Sequence, residues 1–466
     1  MNFISLSFAV FFAVLLLLLK WFPGKTAQQC ILLAASYLFY ALWDWRFLFL
    51  LMGLSAAVWF FGKAAYEKGS KPALSVGVVL CIGVLCVFKY LGFFVESFCA
   101  LFDLPAATIR LVLPLGLSFY IFQAVSYLCD AYRRKITPAS LFHVLLYIGF
   151  FPQIISGPIV KAQDFLPQLE TAHPITKDNL SAGVQQFCAG LFKKVVIADR
   201  LGVCVDAVFA APAAYGGLSL AAAVFAYAIQ IYCDFSGYSD MAIGIARCMG
   251  YDLGKNFNMP YLAQNPSDFW RRWHISLSSW FRDYVFIPLG GSRKGTLRTC
   301  CNLFITMVLS GIWHGANWTF LLWGAAHGMV SVIHKLFRDW KKKYGFGAKT
   351  AAAKHLAAAL SAVINFLVIC LLWIPFRAGS IGDAWLILCR IFLLAEGIEY
   401  YYSFGIVYGV LILGVHALAA VKNGGNDIRR PLDLDKFSSK VIFCVFLLLT
   451  FLFAYIGNSA FLYAQF

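Results

Sequence analysis

Long uncharged stretches alternate with short basic connectors along almost the whole chain. Met1–Leu19 carries no charged residue. As a helix it reaches roughly 28 Å at 1.5 Å per residue, about the thickness of a bilayer's hydrocarbon core. Val441–Phe461 is uncharged as well, and further apolar segments centre near residues 36, 54, 84, 120, 226, 311, 365 and 412. The pattern predicts an all-α, polytopic membrane protein of about eleven transmembrane helices. Three places depart from it. Phe150–Ile159 sets two prolines and a glycine in an apolar segment. Backbone freed there must be satisfied by protein or water, which predicts buried re-entrant structure. Residues 250–300 are too polar to span yet rich in Trp and Phe, and are expected to fold into the domain at or below the membrane surface. Ser380–Leu394 carries Asp383 and Arg390 among apolar residues and reads as an interfacial amphipathic helix.

Composition agrees with the pattern. Hydrophobic residues make up 61% and charged residues 13%, against about 25% charged in soluble proteins. The net charge of +16 could suggest nucleic acid, but its placement excludes that partner. Lys and Arg gather at Lys63/Lys68/Lys71, Arg133/Arg134/Lys135, Lys335–Lys354 and Lys422–Lys440, as the positive-inside rule requires of cytoplasmic connectors. Both termini then face outward. Met1–Leu19 reads as a span rather than as the alternative, a signal peptide, because its first lysines, Lys20 and Lys25, follow the apolar run and it lacks a small-residue cleavage site. No internal repeat or soluble domain stands out, so residues 1–466 read as one membrane domain, with chemistry-bearing motifs concentrated at about 110–330. The 14 cysteines include no Cys-x-x-Cys pair. They read as apolar fillers, with neither a disulfide framework nor a zinc site.

Ionisable residues inside spans are costly, and they mark the candidate chemistry. His314 lies in Leu309-Ser-Gly-Ile-Trp-His-Gly-Ala-Asn-Trp, where Gly311, Gly315 and Ala316 allow close approach of another backbone or a substrate. On one continuous helix over Leu309–Met329, His327 would lie roughly 220° around from His314, so the two would point apart. His327 then reads as an imidazole bonded to neighbouring backbone. His274 follows Trp270-Arg-Arg-Trp273; it is either an interfacial anchor or a second polar group facing His314. Arg271, Arg272 and Arg282 could hold the phosphates of a charged donor. Asp234 and Asp240, in Asp234-Phe-Ser-Gly-Tyr-Ser-Asp240, need partners in an apolar setting and read first as structural ion pairs with the nearby arginines.

At these residues the chain resembles the membrane-bound O-acyltransferase family, nearest its alginate O-acetylating branch. The resemblance rests on Trp43-Asp-Trp-Arg-Phe47, Phe151-Pro-Gln-Ile-Ile-Ser-Gly-Pro-Ile-Val160, Asp234–Asp240, Asn256-Phe-Asn-Met-Pro-Tyr261, Phe269-Trp-Arg-Arg-Trp-His-Ile-Ser-Leu-Ser278, Pro288-Leu-Gly-Gly-Ser292, Ser310-Gly-Ile-Trp-His-Gly-Ala316 and Phe461-Leu-Tyr-Ala-Gln-Phe466. It implies a ring of helices around a thin central region pierced by a tunnel. His314 would match the catalytic histidine and His274 the second active-site group. Trp313 and Asn317, with the three arginines, would line the substrate path. Ser236, Tyr238, the two aspartates and His327 would support the site. The donor would be acetyl-CoA or another acyl thioester on the cytoplasmic side, and no permanently bound cofactor or metal is implied.

Relatives of this kind serve alginate, peptidoglycan or the D-alanylation of teichoic acids, and the Trp-Asp-Trp-Arg-Phe block and the chain length favour the O-acetylating branches. The expected setting is a bacterial cytoplasmic (inner) membrane. The expected partners are the lipid bilayer, a polysaccharide acceptor and an extracytoplasmic SGNH-type acetyltransferase or similar relay protein. Tyr463 could be an interfacial anchor or an acyl relay at the outer mouth of the tunnel. The rival function is a transporter or flippase that moves an acyl carrier or glycan without chemistry, and the missing repeat argues against it.

Overall fold

In the computed structural model, residues 2–105, 109, 111–155, 157–345, 350–400, 403–422, 431–455 and 457 are described. Among them every named element is helical, and one isolated bridge joins Tyr215 to Ile398. Among the described residues six helices are long and apolar enough to cross a membrane: Arg46–Glu67, Lys71–Leu101, Gly217–Cys248, Gly295–His314, Trp318–Tyr344 and Ala351–Arg377. Leu6–Trp21, Gly405–Ala419 and Phe437–Phe453 are shorter apolar helices.

The helices that position the site are α1 (Lys71–Leu101, with a π-turn at Cys86–Tyr90), α2 (Lys177–Phe192), α3 (Gly217–Cys248), α4 (Pro266–Arg272), α5 (Ile275–Phe281), α6 (Gly295–His314), α7 (Trp318–Tyr344) and α8 (Ala351–Arg377). α3 is the most enclosed. Of its most apolar window 78% is buried inside the protein, against 17% for α1. Its contact with α2 depends on glycines placed opposite one another. A Cβ at Gly190 would stand 2.4 Å from the Gly237 carbonyl oxygen, and one at Gly183 would stand 2.6 Å from that of Gly244. Small residues at helical spacing let membrane helices meet backbone to backbone, where packing rather than the hydrophobic effect drives association.

The continuous helix expected over Leu309–Met329 does not form. α6 ends at His314, Gly315–Asn317 turn the chain, and α7 starts at Trp318. Asn317 caps the new helix, its Oδ1 accepting from the Thr319 N–H at 3.0 Å. A good N-cap residue two positions after a glycine supplies a stop and a start. α6 and α7 therefore form a hairpin, with Gly311 seated against Phe320 and Gly324 of α7.

The burial expected of the segment that begins at Phe150 is found. Phe151–Ile154 is a single helical turn, and Phe150, Phe151 and Ile154 are fully buried. Gly116, at φ 70°, lies so close to the Ile154 carbonyl that no side chain could occupy its place. α4 and α5 fold inward with Phe269, Trp273, His274 and Leu277 buried. Ile381–Phe392 is a helix of 12 residues, too short to span, with Ala384 and Ile387 inward and Trp385 and Phe392 outward.

Candidate active site

His274 sits in the joint between two short helices. Pro266 and the Asn265 cap, which accepts from the Asp268 N–H at 2.9 Å, start α4. α5 begins at Ile275, and His274 itself takes the left-handed conformation at φ 43°. For a residue with a Cβ that conformation costs roughly 1–2 kcal/mol, so the surroundings must enforce it. Asn256 does so. Its carbonyl oxygen accepts from the Ile275 N–H at 2.8 Å. Its side-chain Oδ1 accepts from the Ser276 N–H at 3.2 Å and from Ser276 Oγ at 2.9 Å.

The same contacts fix the imidazole. A backbone N–H can only donate, so the Asn256 atom facing Ser276 is the oxygen. That oxygen also lies 3.1 Å from His274 Nδ1, which must therefore carry the proton. The lone pair is left on Nε2. Asn256 Nδ2 in turn donates to Ser239 Oγ at 3.0 Å, tying the arrangement to α3.

His314 is the last residue of α6 and is 3% exposed. Its ring lies in an aromatic box, with centroids 4.9 Å from Trp313, 4.9 Å from Trp323 and 5.2 Å from Phe376. Trp313 stands between the histidines, its centroid 6.3 Å from that of His274. It also stacks on Phe122 at 5.2 Å. Trp313 touches both imidazoles, so residues forty apart in sequence share one buried region.

The break after His314 also changes the place of His327. The two histidines flank the same indole, with Trp323 centroid distances of 4.9 Å to His314 and 4.7 Å to His327. They do not point apart, because the rotation counted along one helix no longer applies. His327 is fully buried against Trp270 and Trp323, and neither ring nitrogen has a hydrogen-bond partner among the described residues. The backbone bond expected for it is not formed there.

The aspartates of α3 are paired, though with lysines rather than arginines. Asp234 bonds Lys194 at 2.7 Å, and Asp240 bonds Lys193 at 2.6 Å. Lys194 also meets Asp199 at 2.7 Å, and Lys193 reaches Ser236 Oγ at 3.3 Å. Both lysines belong to a π-turn, Lys193–Ala198, directly after α2. Tyr238 stacks on Phe3 at 5.0 Å. These residues join α2 to α3 behind the site.

The arginines singled out in the sequence are engaged elsewhere or face outward. Arg272 pairs with Asp268 at 3.1 Å, Arg282 pairs with Asp283 at 2.7 Å, and Arg271 is exposed. Burial resists ionisation of Asp283, yet Arg282 and Lys161 outweigh it and hold the carboxyl below its ordinary value. Asn317 caps α7. Tyr463 lies outside the described residues.

A cavity of about 900 Å³ opens beside α2 and α3 and reaches the Asn256 that orients His274. Gln186, Asp240, Arg247, Lys255, Asn256 and Phe257 line it. The connector after residue 430 docks at its rim. The Leu432 N–H donates to Gln185 Oε1 at 2.7 Å, Gln185 Nε2 donates to the Leu432 carbonyl at 3.0 Å, and Lys177 pairs with Asp435. Sequence reasoning missed Arg247, Lys255, Asn256 and the Lys89 that meets the end of α6. Lys89 had a signal, since it is a lone cation in an apolar span. Asn256 had only its place in a matching block.

Two buried histidines, one held in a defined tautomer by a residue that lines a roomy cavity, suit transfer of an acyl group in a helical membrane protein. The chain matches the membrane-bound O-acyltransferase family over residues 29–374 and belongs to that family; it is an acyltransferase. It is 40% identical to a "probable alginate O-acetylase" of Pseudomonas putida, over 82% of this chain and 79% of that one. It is 35% identical to a peptidoglycan O-acetyltransferase of Helicobacter pylori, over 76% of this chain and 71% of that one. With a teichoic acid D-alanyltransferase of Bacillus subtilis the identity is 31%, over 55% and 66%.

Proposed function

We propose that the protein moves acetyl groups from a cytoplasmic thioester toward an extracytoplasmic polysaccharide of the alginate type. The observation that carries this reading is the chain of contacts that links the cavity-lining Asn256 to His274, and His274 through the Trp313 ring to His314. Relatives named for alginate O-acetylation support the acceptor class.

In this reading His314 takes the proton of the acceptor hydroxyl as the oxygen attacks the thioester carbonyl. A tetrahedral oxyanion forms. Its collapse expels the thiolate, which recovers the proton from the imidazolium. The Nε2 lone pair of His274 accepts a polar hydrogen of the substrate and helps fix its orientation. A dry site strengthens the hydrogen bonds that hold the developing charge.

The donor is assigned as acetyl-CoA or another acyl thioester. Arg247 and Lys255 at the cavity are the cations placed to meet its phosphates, since Arg272 and Arg282 are held in pairs within the fold. Leu432 docks at the cavity rim, and the charge pattern of Lys422–Lys440 puts that connector in the cytoplasm, so in this reading the donor enters from that side. The full architecture in this reading is a ring of about eleven spans around a tunnel, in a bacterial inner membrane with both termini outside. A long glycan needs a holder beyond the membrane, so an extracytoplasmic SGNH-type protein is the proposed partner.

The test is His314→Ala in the producing cells, at matched amounts of folded protein. Ester-linked acetate should vanish from the exopolymer. Retention of wild-type acetate would overturn the assignment of His314. Acetate lost from peptidoglycan rather than from an exopolymer would move the acceptor to the class named for the Helicobacter relative.

A further inference from the structure

α1 places a lysine where an apolar span offers nothing to solvate it. The segment from Leu80 to Phe94 is apolar apart from Lys89 and its neighbour Tyr90. A cation in such a position marks function unless it is fully employed by the fold. Its employment here is specific. The helix widens into a π-turn at Cys86–Tyr90. Such turns insert one extra residue and re-aim the side chains that follow, often at functional sites. Lys89 and Tyr90 both reach the C-terminal end of α6. The Tyr90 hydroxyl donates to the Ile312 carbonyl at 2.7 Å. Lys89 Nζ donates to the carbonyls of Trp313 at 2.6 Å and His314 at 3.1 Å, and lies 3.5 Å from Ser118 Oγ.

Three consecutive carbonyls, ending on that of His314, are thus held by two consecutive residues of another helix. These are groups that a helix end leaves without internal partners, and they carry the negative end of the helix dipole. A neutral donor could satisfy them. An ammonium does more. Among the described residues Ser118 Oγ and the carbonyls of Trp313 and His314 stand around Nζ, and Nζ lies 5.7 Å from the Trp313 ring that walls the site. In its protonated form the amine holds the backbone beneath His314 and sets a positive charge beside a reaction whose transition state is an oxyanion.

We propose that Lys89 is a positioning residue for acyl transfer, acting through its charge and its grip on the end of α6. The proposal rests on the assignment of His314 as the base.

Three variants test it: Lys89→Arg, Lys89→Gln and Lys89→Met. Each is compared with wild type at equal amounts of monodisperse full-length protein, by its melting temperature in detergent and by the rate at which acetate ester enters the polymer in cells. Lys89→Gln keeps N–H donors for the carbonyls and loses the charge, whereas Lys89→Arg keeps both. The expected result is a rate within severalfold of wild type for Lys89→Arg. For Lys89→Gln and Lys89→Met the expected loss is about ten- to hundredfold, below the hundred- to thousandfold typical of a donor that touches the oxyanion itself. If Lys89→Met does not fold, Lys89→Gln decides the matter. A Gln variant as active as wild type overturns the proposal and leaves Lys89 a cap. Equal loss in the Arg and Gln variants overturns it too, because charge would then not be the source. His314→Ala run alongside separates the two assignments: wild-type rate there would defeat the base, whatever Lys89 does.

Discussion

Replacing Gly311 with alanine should disable the enzyme by opening the α6–α7 hairpin. The added methyl would stand 2.4 Å from the Phe320 carbonyl oxygen and 2.9 Å from the Gly324 Cα, where ordinary contact begins at 3.4 Å. Both neighbours are backbone, so no side chain can swing aside. The helices must separate by about 1 Å, and overpacking of this size costs about 1–3 kcal/mol. His314 lies one turn further along the same helix, at its end. Displacing a catalytic group by about 1 Å costs about a hundredfold in rate. The expected outcome is therefore a folded, membrane-inserted protein with a lower melting temperature and roughly hundredfold less polymer acetylation at matched protein levels. Gly414→Ala is the control, because a Cβ there meets nothing within 4 Å and should change neither quantity. Wild-type rate and melting temperature for Gly311→Ala would refute the idea that close backbone contact at this crossing holds His314 in place.

Asn256→Ala should lower turnover about ten- to hundredfold, the usual effect of removing the partner that orients a functional imidazole; unchanged turnover in membranes given acetyl-CoA would show that the tautomer of His274 is immaterial. Arg247→Ala and Lys255→Ala should each raise the KM for acetyl-CoA about tenfold, since a hydrogen bond to a charged group contributes about 1.5–3 kcal/mol, and leave kcat intact. The same effect in Arg271→Ala, Arg272→Ala or Arg282→Ala, with none at Arg247, would return donor guidance to those three arginines. Tyr463→Phe keeps the ring and deletes the hydroxyl; lost polymer acetylation would support an acyl relay, and a wild-type rate would make the residue an anchor.

The chemistry of the site was more legible than its geometry. His274 and His314 stand out in sequence because ionisable groups are rare in apolar surroundings, and the glycines near His314 announce a close crossing. The turn at Gly315–Asn317 was written in the same stretch, as a glycine followed by a capping residue, but the apolar run continues through it and periodicity alone reads one helix. That single misreading placed His327 away from His314. The partners of Asp234 and Asp240 could not be read either. The arginines weighed as partners, Arg271, Arg272 and Arg282, lie on α4 and after α5, whereas the lysines that bind lie on a π-turn brought alongside α3 by the α2 glycines. Lys89 was legible as an anomaly, but its target was not. Nothing local to α1 indicates that the end of α6 will lie opposite.

His274 is oriented by an amide rather than a carboxylate, and the difference reaches beyond geometry. An aspartate in the place of Asn256 would attract a proton to the imidazole and hold it as a cation, with no lone pair to offer. The amide supplies the same acceptor oxygen without a full negative charge, and it neither gains nor loses a proton in the range where cells live. The clasp on His274 is therefore indifferent to acidity on either face of the membrane.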